Sequence, residues 1–352
     1  MLKVGYYELT KEQEKYDDVV VIIDGSIQFG KDKIYLMYGI RQSEIPTDRA
    51  LKLSDLMALY LVVKETWNGE IISNELICLN EKVGKIVYMV CDKGSELVKG
   101  IRLAGIPHIY DITHKLANLL ESMFEKDKTY KSVTEKMSTM RNKLAQTDAA
   151  FIIPNAQRKK SFYQNMKTIS DWLVKFQSYI KSGKYKDKLK DKTEMLEWVL
   201  EKETFITEFS ILNELICKIE KIVKTKGLSK ETKFECLNLF NEILENSYTE
   251  KLKTEFIIYA DEMLSKVPYN RILCTSDIIE SAFGKYKNYV SSNPMCGVTS
   301  LALSLAAFTS DFSIDTIKKA LESTTINHIN AWNEDNIKES LLKKRRDAFK
   351  FT

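Results

Sequence analysis

The pattern of apolar and polar positions changes character along the chain. Two apolar runs, Val19-Val20-Val21-Ile22-Ile23 and Ile86 to Cys91, show no polar alternation, the mark of strands covered on both faces. The first ends at Asp24-Gly25-Ser26 and the second at Asp92-Lys93-Gly94-Ser95. Lys33 to Ile40 predicts a second strand, and the short spacer with Gly30 makes the first pair a hairpin. Past a polar loop containing Pro46, Leu56 to Val63 fits a third strand, with a helix as the alternative. Asn68 to Glu81 puts Ile72, Leu76 and Leu79 on one helical face. Gly94-Ser95 turns the chain into a helix around Leu97 to Leu103; a short strand at Ile106 to Tyr110 and a helix from His114 to Glu125 follow. The predicted order is β-β-β-α-β-α-β-α, preceded by a polar lead-in over residues 1–18.

From about 126 to 270 the strand signals vanish and Lys-rich amphipathic helices replace them. Asp191 to Glu194 reads as an N-cap with Glu three residues later. Leu196, Val199, Ile206, Phe209, Leu212, Ile216, Ile219 and Val223 then recur at helical spacing until Gly227, and Phe234, Leu237, Phe240 and Leu244 mark a further helix. No repeat period emerges, which excludes a solenoid. Ser276 stands in the N-cap position of a helix with Ile279, Phe283 and Tyr286 facing a core and Glu280 on the adjoining side. Val298 to Thr309 is nearly all apolar and hence buried, and Ser313 to Ser323 is amphipathic. The predicted class is α/β: a mixed sheet in the RNase H-like order, interrupted by a large all-α insertion. Its parts are residues 1–125, the insertion 126–270, and 271–352 with the late helix, closing helices and basic tail.

Composition narrows the function classes. A hydrophobic content of 44% in 352 residues supports a sizeable core, and 29% charged residues with 5 Pro and 13 Gly argue against disorder. The formal net charge is +4, so a nucleic-acid surface has to come from local clustering of Lys and Arg. The 6 Cys contain no CxxC pair and several sit in apolar runs, which predicts reduced, buried thiols in a cytosolic protein. The N-terminus has no signal-peptide core. The longest uncharged run, Met295 to Ser310, is shorter than the ~18–20 residues needed to cross a bilayer.

Three acids stand out: Asp24 closing the first strand, Asp92 closing the fourth, and Glu280 on the late helix. An Asp at the carboxyl end of a central strand lies at the open mouth of an α/β sheet, where ligands bind. Hydrolysis or transfer at a phosphodiester uses two divalent ions roughly 3.5–4 Å apart, held by hard oxygen ligands. Each acid also has a plainer reading. Asp24 fits a hairpin turn, Asp92 a helix cap, and Glu280 a solvated helical face, with Asp277 as its substitute.

The sequence resembles the DDE transposases, in particular those of bacterial insertion sequences whose RNase H-like core is split by a helical insertion. The resemblance lies in Val21-Ile22-Ile23-Asp24-Gly25-Ser26, in Val90-Cys91-Asp92-Lys93-Gly94-Ser95, and in Asp277-Ile278-Ile279-Glu280-Ser281-Ala282-Phe283-Gly284-Lys285. Asp111-Ile112-Thr113-His114 matches the Cys-or-Asp, two residues, His signature of hAT-like and related transposases. The resemblance implies that Asp24, Asp92 and Glu280 hold two ions, Mg²⁺ or Mn²⁺, with Asp111 and His114 as accessory residues. It further implies DNA (element ends and target) as the partner, a homodimer or higher synaptic assembly, no membrane, and a bacterial, nucleoid-associated location. Only 23 residues precede Asp24, too few for the DNA-binding domain that such transposases carry there. The resemblance therefore implies a truncated or split reading frame, an excised catalytic portion or a domesticated relative.

Lys285 and Lys287, next to Glu280, are the favoured DNA-binding residues; the clusters Arg158 to Lys160, Lys181 to Lys192 and Lys343 to Arg346 read as solvated faces or phosphate contacts. Arg41 and Lys93 are further phosphate candidates. Trp172 and Trp198 suit core packing or stacking on an extruded base. Two rival functions share these residues: an RNase H-like nuclease without strand transfer, and a transposase-derived DNA-binding protein without catalysis. The β-branched runs at 19–23 and 86–91 argue against a third reading, a purely helical interaction protein.

Overall fold

The computed structural model describes the chain apart from residues 30–31, 158–161, 188, 291–297, 338–340 and 351–352; of residues 26–29, 32, 162, 187 and 341–342 it describes the backbone alone. In chain order come α1 (Leu2–Thr10), β1 (Tyr16–Phe29), β2 (Asp32–Arg41), β3 (Met57–Lys64), α2 (Gly69–Val83), β4 (Gly84–Cys91), α3 (Ser95–Leu103), β5 (His108–Tyr110) and α4 (Ile112–Phe124). Then follow α5 (Lys128–Leu144), α6 (Phe162–Lys181), α7 (Thr193–Leu196), α8 (Glu203–Lys226), β6 (Leu228–Ser229), α9 (Lys230–Asn238) and α10 (Ser247–Ser265). The last elements are β7 (Arg271–Ile272), α11 (Asp277–Val290), α12 (Leu303–Ala307), α13 (Ile314–Ser323), α14 (Ile326–Asn336) and α15 (Leu341–Ala348). The chain divides into two compact units. One holds Met1–Asp111, Lys224–Ser229 and Glu262–Thr352, and the other holds Ile112–Val223 and Lys230–Asp261. The second unit thus opens at Ile112, where the sequence reading opened its helical segment at 126. No helix among the described residues is long and apolar enough to cross a membrane.

The first unit is built on a five-stranded sheet in the order β3-β2-β1-β4-β5. β1 runs antiparallel to β2 and parallel to β4; β2 and β3 are antiparallel, and β4 and β5 parallel. The predicted strand and helix order is the order observed, and Leu56 to Val63 resolves as a strand. The β-branched run explains the layering. Val19, Val21 and Ile23 join Met89 and Cys91 in one core with Ile72, Leu76 and Leu79 of α2 and Leu97 and Ile101 of α3. With a side-chain period of two, Val20, Ile22, Tyr88 and Val90 face the opposite side. They too are fully buried. Removing such side chains from water contributes about 1.5–3 kcal/mol each, which makes this central pair of strands the anchor of the unit. α11 packs against β1, and α12 against β3. The Tyr38 hydroxyl on β2, opposite Ile22, donates to the carbonyl of Leu305 on α12 at 2.7 Å.

The polar lead-in is corrected: residues Leu2–Thr10 form α1, which lies against α12 and α13. Val4 and Leu9 are buried, and the buried Glu8 pairs with Lys11. Gly5 permits the approach, because a Cβ there would stand 1.9 Å from the Leu303 carbonyl oxygen. β6 and β7 form a small antiparallel pair that carries no strand signal in the sequence. Of the cysteines, Cys91, Cys236 and Cys274 are buried as predicted, Cys217 is partly buried, and Cys78 is exposed on α2, a correction; Cys296 lies outside the described residues.

The second unit is helical apart from short turns. Phe124 is its aromatic centre, with ring centroids of Tyr130, Phe209 and Tyr248 at 5.5, 5.2 and 5.0 Å. Trp172 stacks on Phe176 at 4.6 Å and donates its Nε1–H to the Ile152 carbonyl; Trp198 is buried. Both indoles are packing residues. Two helix readings are corrected. Asp191 lies inside a 3-10 turn, Lys190–Lys192, ahead of the single-turn α7. The helix predicted over Phe234 to Leu244 is present only as α9, which ends at Asn238; Phe240 follows in a 3-10 turn, Leu244 lies beyond it, and Phe234 and Leu244 are solvent-exposed.

Substituting Gly5→Ala tests the seat of α1. A methyl group at 1.9 Å from a backbone oxygen has no flexible neighbour to displace. The expected result is a loss of about 1–3 kcal/mol in urea unfolding together with faster proteolysis near the N-terminus. Wild-type stability would show that α1 is not held at this contact.

Candidate functional site

The sheet register gives the site its geometry. On β1 and β4 the pairs are Val20 with Tyr88, Val21 with Met89, and Ile22 with Val90. Carried on by two residues, that register sets Asp24 level with Asp92, which follows the end of β4. Asp24 does not close its strand as predicted: β1 runs on to Phe29 and pairs Asp24 with Leu36 of β2. By the period of two, Asp24 leaves the sheet on the face opposite Ile23, and so opposite α2 and α3. Asp24 and Asp92 are both half-buried. Asp24 Oδ1 accepts the Gly25 amide at 2.6 Å, and Asp92 Oδ1 accepts the Gly94 amide at 2.9 Å as the chain turns into α3. Gly25 is needed here, since a Cβ would meet the Tyr35 ring at 2.5 Å. Beside the pair, burial pushes the Cys91 thiol well above its ordinary pKa, reinforced by the negative charges of Asp92, Asp24 and Asp111. Those three carboxylates therefore share one electrostatic neighbourhood.

Asp111 has a contact that no motif announces. It is fully buried just past β5, with its amide donating to the Cys91 carbonyl at 3.0 Å. Its Oδ2 accepts both the amide of Ser276 at 2.5 Å and the Ser276 hydroxyl at 2.9 Å. A buried carboxylate is costly unless it is hydrogen-bonded, and the N-terminus of α11 supplies both donors and a favourable dipole. Ser276, expected as an N-cap, thus hands its hydroxyl to Asp111. A second tie holds the segment entering α11. The Leu273 amide donates to the Tyr88 hydroxyl at 2.9 Å, Tyr88 donates to Gln42 Oε1 at 2.5 Å, and Gln42 Nε2 donates to the Arg271 carbonyl at 2.7 Å. α11 then buries Ile279, Ala282, Phe283, Tyr286 and Val290 and leaves Glu280 exposed in its first turn. Asp277 pairs with Lys224.

The remaining candidates are placed as follows. His114 is half-buried in the first turn of α4, at the start of the second unit. Lys285 and Lys287 are exposed on α11, and the Lys285 ammonium lies 5.7 Å from the centre of the Phe308 ring. Arg41 is taken up by Asp18 at 3.0 Å and by the Tyr16 ring at 4.5 Å, which makes it a structural residue. Lys93 is exposed, with its ammonium 4.5 Å from the centre of the Tyr110 ring. Arg158 to Lys160 lie outside the described residues. Among the described residues no group of three or more His, Cys, Asp or Glu is placed to hold a metal ion. Asp24, Asp92 and Glu280 therefore do not form such a group in this structure; Glu280 lies on a helix that packs against β1. His108, left aside in the sequence, sits beside the end of β4: its Nε2 lies 3.3 Å from the Cys91 carbonyl. Burial lowers its pKa, and the positive charges of Lys266 and Lys93 add to that, against the pull of Asp92.

No family model matches the sequence, and no curated protein matches it. Among solved structures the chain is similar to the Drosophila P element transposase strand transfer complex, at 12% identity and a TM-score of 0.43, over 90% of this chain and 81% of that one.

The Asp111–Ser276 tie is testable apart from any activity. Hydrogen bonds to a charged group contribute about 1.5–3 kcal/mol each, so Asp111→Asn is expected to lower unfolding stability by a few kcal/mol and Ser276→Ala by about half as much. Hydrogen exchange should rise first in the opening turn of α11. Equal exchange in wild type and both variants would mean that Asp111 does not hold this helix.

Proposed function

We propose that the chain is the catalytic core of a DDE transposase with an RNase H-like sheet, cutting DNA phosphodiesters at mobile-element ends and joining the freed 3′-hydroxyls to a target. The observation that supports this reading is the parallel pairing of β1 and β4, whose register, carried on by two residues from Ile22 and Val90, sets Asp24 level with Asp92, together with the packing of the Glu280 helix on β1. The donor set suits hard divalent ions: it offers carboxylate oxygens, while the nearby Cys91 side chain belongs to the core on the other face. Asp24, Asp92 and Glu280 would hold two such ions, Mg²⁺ or Mn²⁺, which activate the attacking oxygen and stabilise the leaving one. Because Mg²⁺ takes one or two carboxylates and fills its shell with water and substrate phosphate, two strand-borne acids and one on an exposed helical turn are a sufficient protein share.

The chain's own residues do the rest. Asp92 is oriented by the Gly94 amide, Asp24 by the Gly25 amide, and Glu280 by the seat of α11 on Asp111 and Tyr88. No side chain serves as nucleophile in this reading. Lys285 and Lys287 follow Glu280 on α11 and would neutralise phosphates beside the cut. The second unit interrupts the first in sequence between Asp111 and Glu262, the place of the helical insertion in split transposase cores. Joining requires two DNA ends at once, hence at least two copies of the chain.

The test combines nicking of supercoiled plasmid in Mn²⁺ with a joining assay using 3′-hydroxyl duplex donors. Asp24→Asn, Asp92→Asn and Glu280→Gln should each reduce both reactions by more than about 100-fold, beyond the 10–100-fold loss typical of outer-shell changes, with unchanged melting temperatures. Full activity in any of the three removes that acid from the site. Cleavage without joined products would make the protein a nuclease.

A further inference from the structure

The flank of α3 next to Asp92 carries a cleft of about 540 Å³ whose polar lining includes Lys93, Ser95, Lys99, Arg102, His108 and Lys266. Glu262 also lines it and pairs with Lys266 at 2.8 Å, while Lys99 pairs with Glu70 at 2.6 Å. Among the described residues, Lys93 and Arg102 have no carboxylate partner. Lys93 directly follows Asp92, and its ammonium is steadied over the Tyr110 ring. The cleft therefore holds an excess of positive charge, fork-shaped and point-like donors together, and a hydroxyl at Ser95. That combination recognises phosphate oxygens.

We propose that this cleft is a phosphate subsite for the nucleic-acid backbone, gripping the strand that flanks the phosphodiester over the Asp24–Asp92 pair. The proposal rests on the catalytic reading only for which strand it grips; the grip itself follows from the charge and shape of the cleft. The cleft adjoins the pair directly, since its Lys93 follows Asp92 in the chain and its His108 lies 3.3 Å from the Cys91 carbonyl.

The experiment measures binding of a fluorescent duplex oligonucleotide in EDTA, with no metal present, across a range of salt concentrations. Each neutralised phosphate adds about 0.9 to the slope of log K against log salt. The double variant Lys93→Gln/Arg102→Gln is expected to lower that slope by about 1.8 and to weaken binding at low salt by tenfold or more. Both side chains are exposed, so the fold should persist, and the melting temperature checks this. Lys318→Gln, far along the sequence on α13, is the control and should leave the slope unchanged. An unchanged slope in the double variant, or an equal drop in the control, overturns the proposal. A parallel titration with inorganic phosphate and a nucleoside triphosphate separates the sources of phosphate. If these raise the melting temperature of the wild type but not of the variant while the DNA slope stays the same, the cleft takes small phosphates and the backbone assignment falls. Because no metal is used, loss of nicking in the carboxylate variants and loss of slope here fail independently.

Discussion

The candidate site depends on how the late helix is tied to the sheet. Asp111 and Ser276 are 165 residues apart, yet one buried carboxylate oxygen accepts both the amide and the hydroxyl of Ser276. A charge without solvent has to be matched by donors, and the first turn of a helix supplies amides with no intrahelical partner. Each need answers the other. The Tyr88 hydroxyl adds a second fixed point three residues earlier, at Leu273, so the chain enters α11 in one direction only. The position of Glu280 follows from these two ties and from the apolar stripe Ile279, Phe283 and Tyr286 that lies beneath it.

The fold was legible where burial is two-sided or strictly periodic. Val19 to Ile23 could only be a central strand, and its parity then assigns Asp24 to the face opposite Ile23 without any further information. The same logic places Asp92 from Cys91. What the sequence did not reveal depends on partners distant in the chain. α1 buries little apolar surface of its own and docks through the bare Gly5 backbone, which no hydrophobic stripe reports. β7 is a two-residue strand fixed by side-chain and backbone bonds from Gln42 and Tyr88. Phe234 and Leu244 have helical spacing with their neighbours but remain in solvent, because spacing says which residues share a face and not whether anything covers it.

The candidate site shows the same division. Asp92 directly follows β4, as the end of its apolar run announces, whereas Asp24 lies inside β1, which outlasts its apolar run and shifts register against β4 at Val19. The role of Asp111 could not be read that way. Its spacing pairs it with His114 and the spacing of Ser276 marks a local cap, whereas the two side chains answer to each other across the chain. Polar residues that work in pairs across the chain leave no periodic trace, which is why strands and helices are easier to read than the ties between them.

Electrostatics then gives the strand ends a direction. Burial, and after it the carboxylates of Asp92, Asp24 and Asp111, raise the pKa of the Cys91 thiol. Burial, and after it Lys266 and Lys93, lower the pKa of the neighbouring His108. A net charge of +4 spread over 352 residues cannot by itself attract a polyanion, but charges grouped in this way can orient one. The anionic pair repels a bare phosphate, and the cationic flank draws it in. Under the proposed function, a backbone held on that flank would reach the carboxylates from one side.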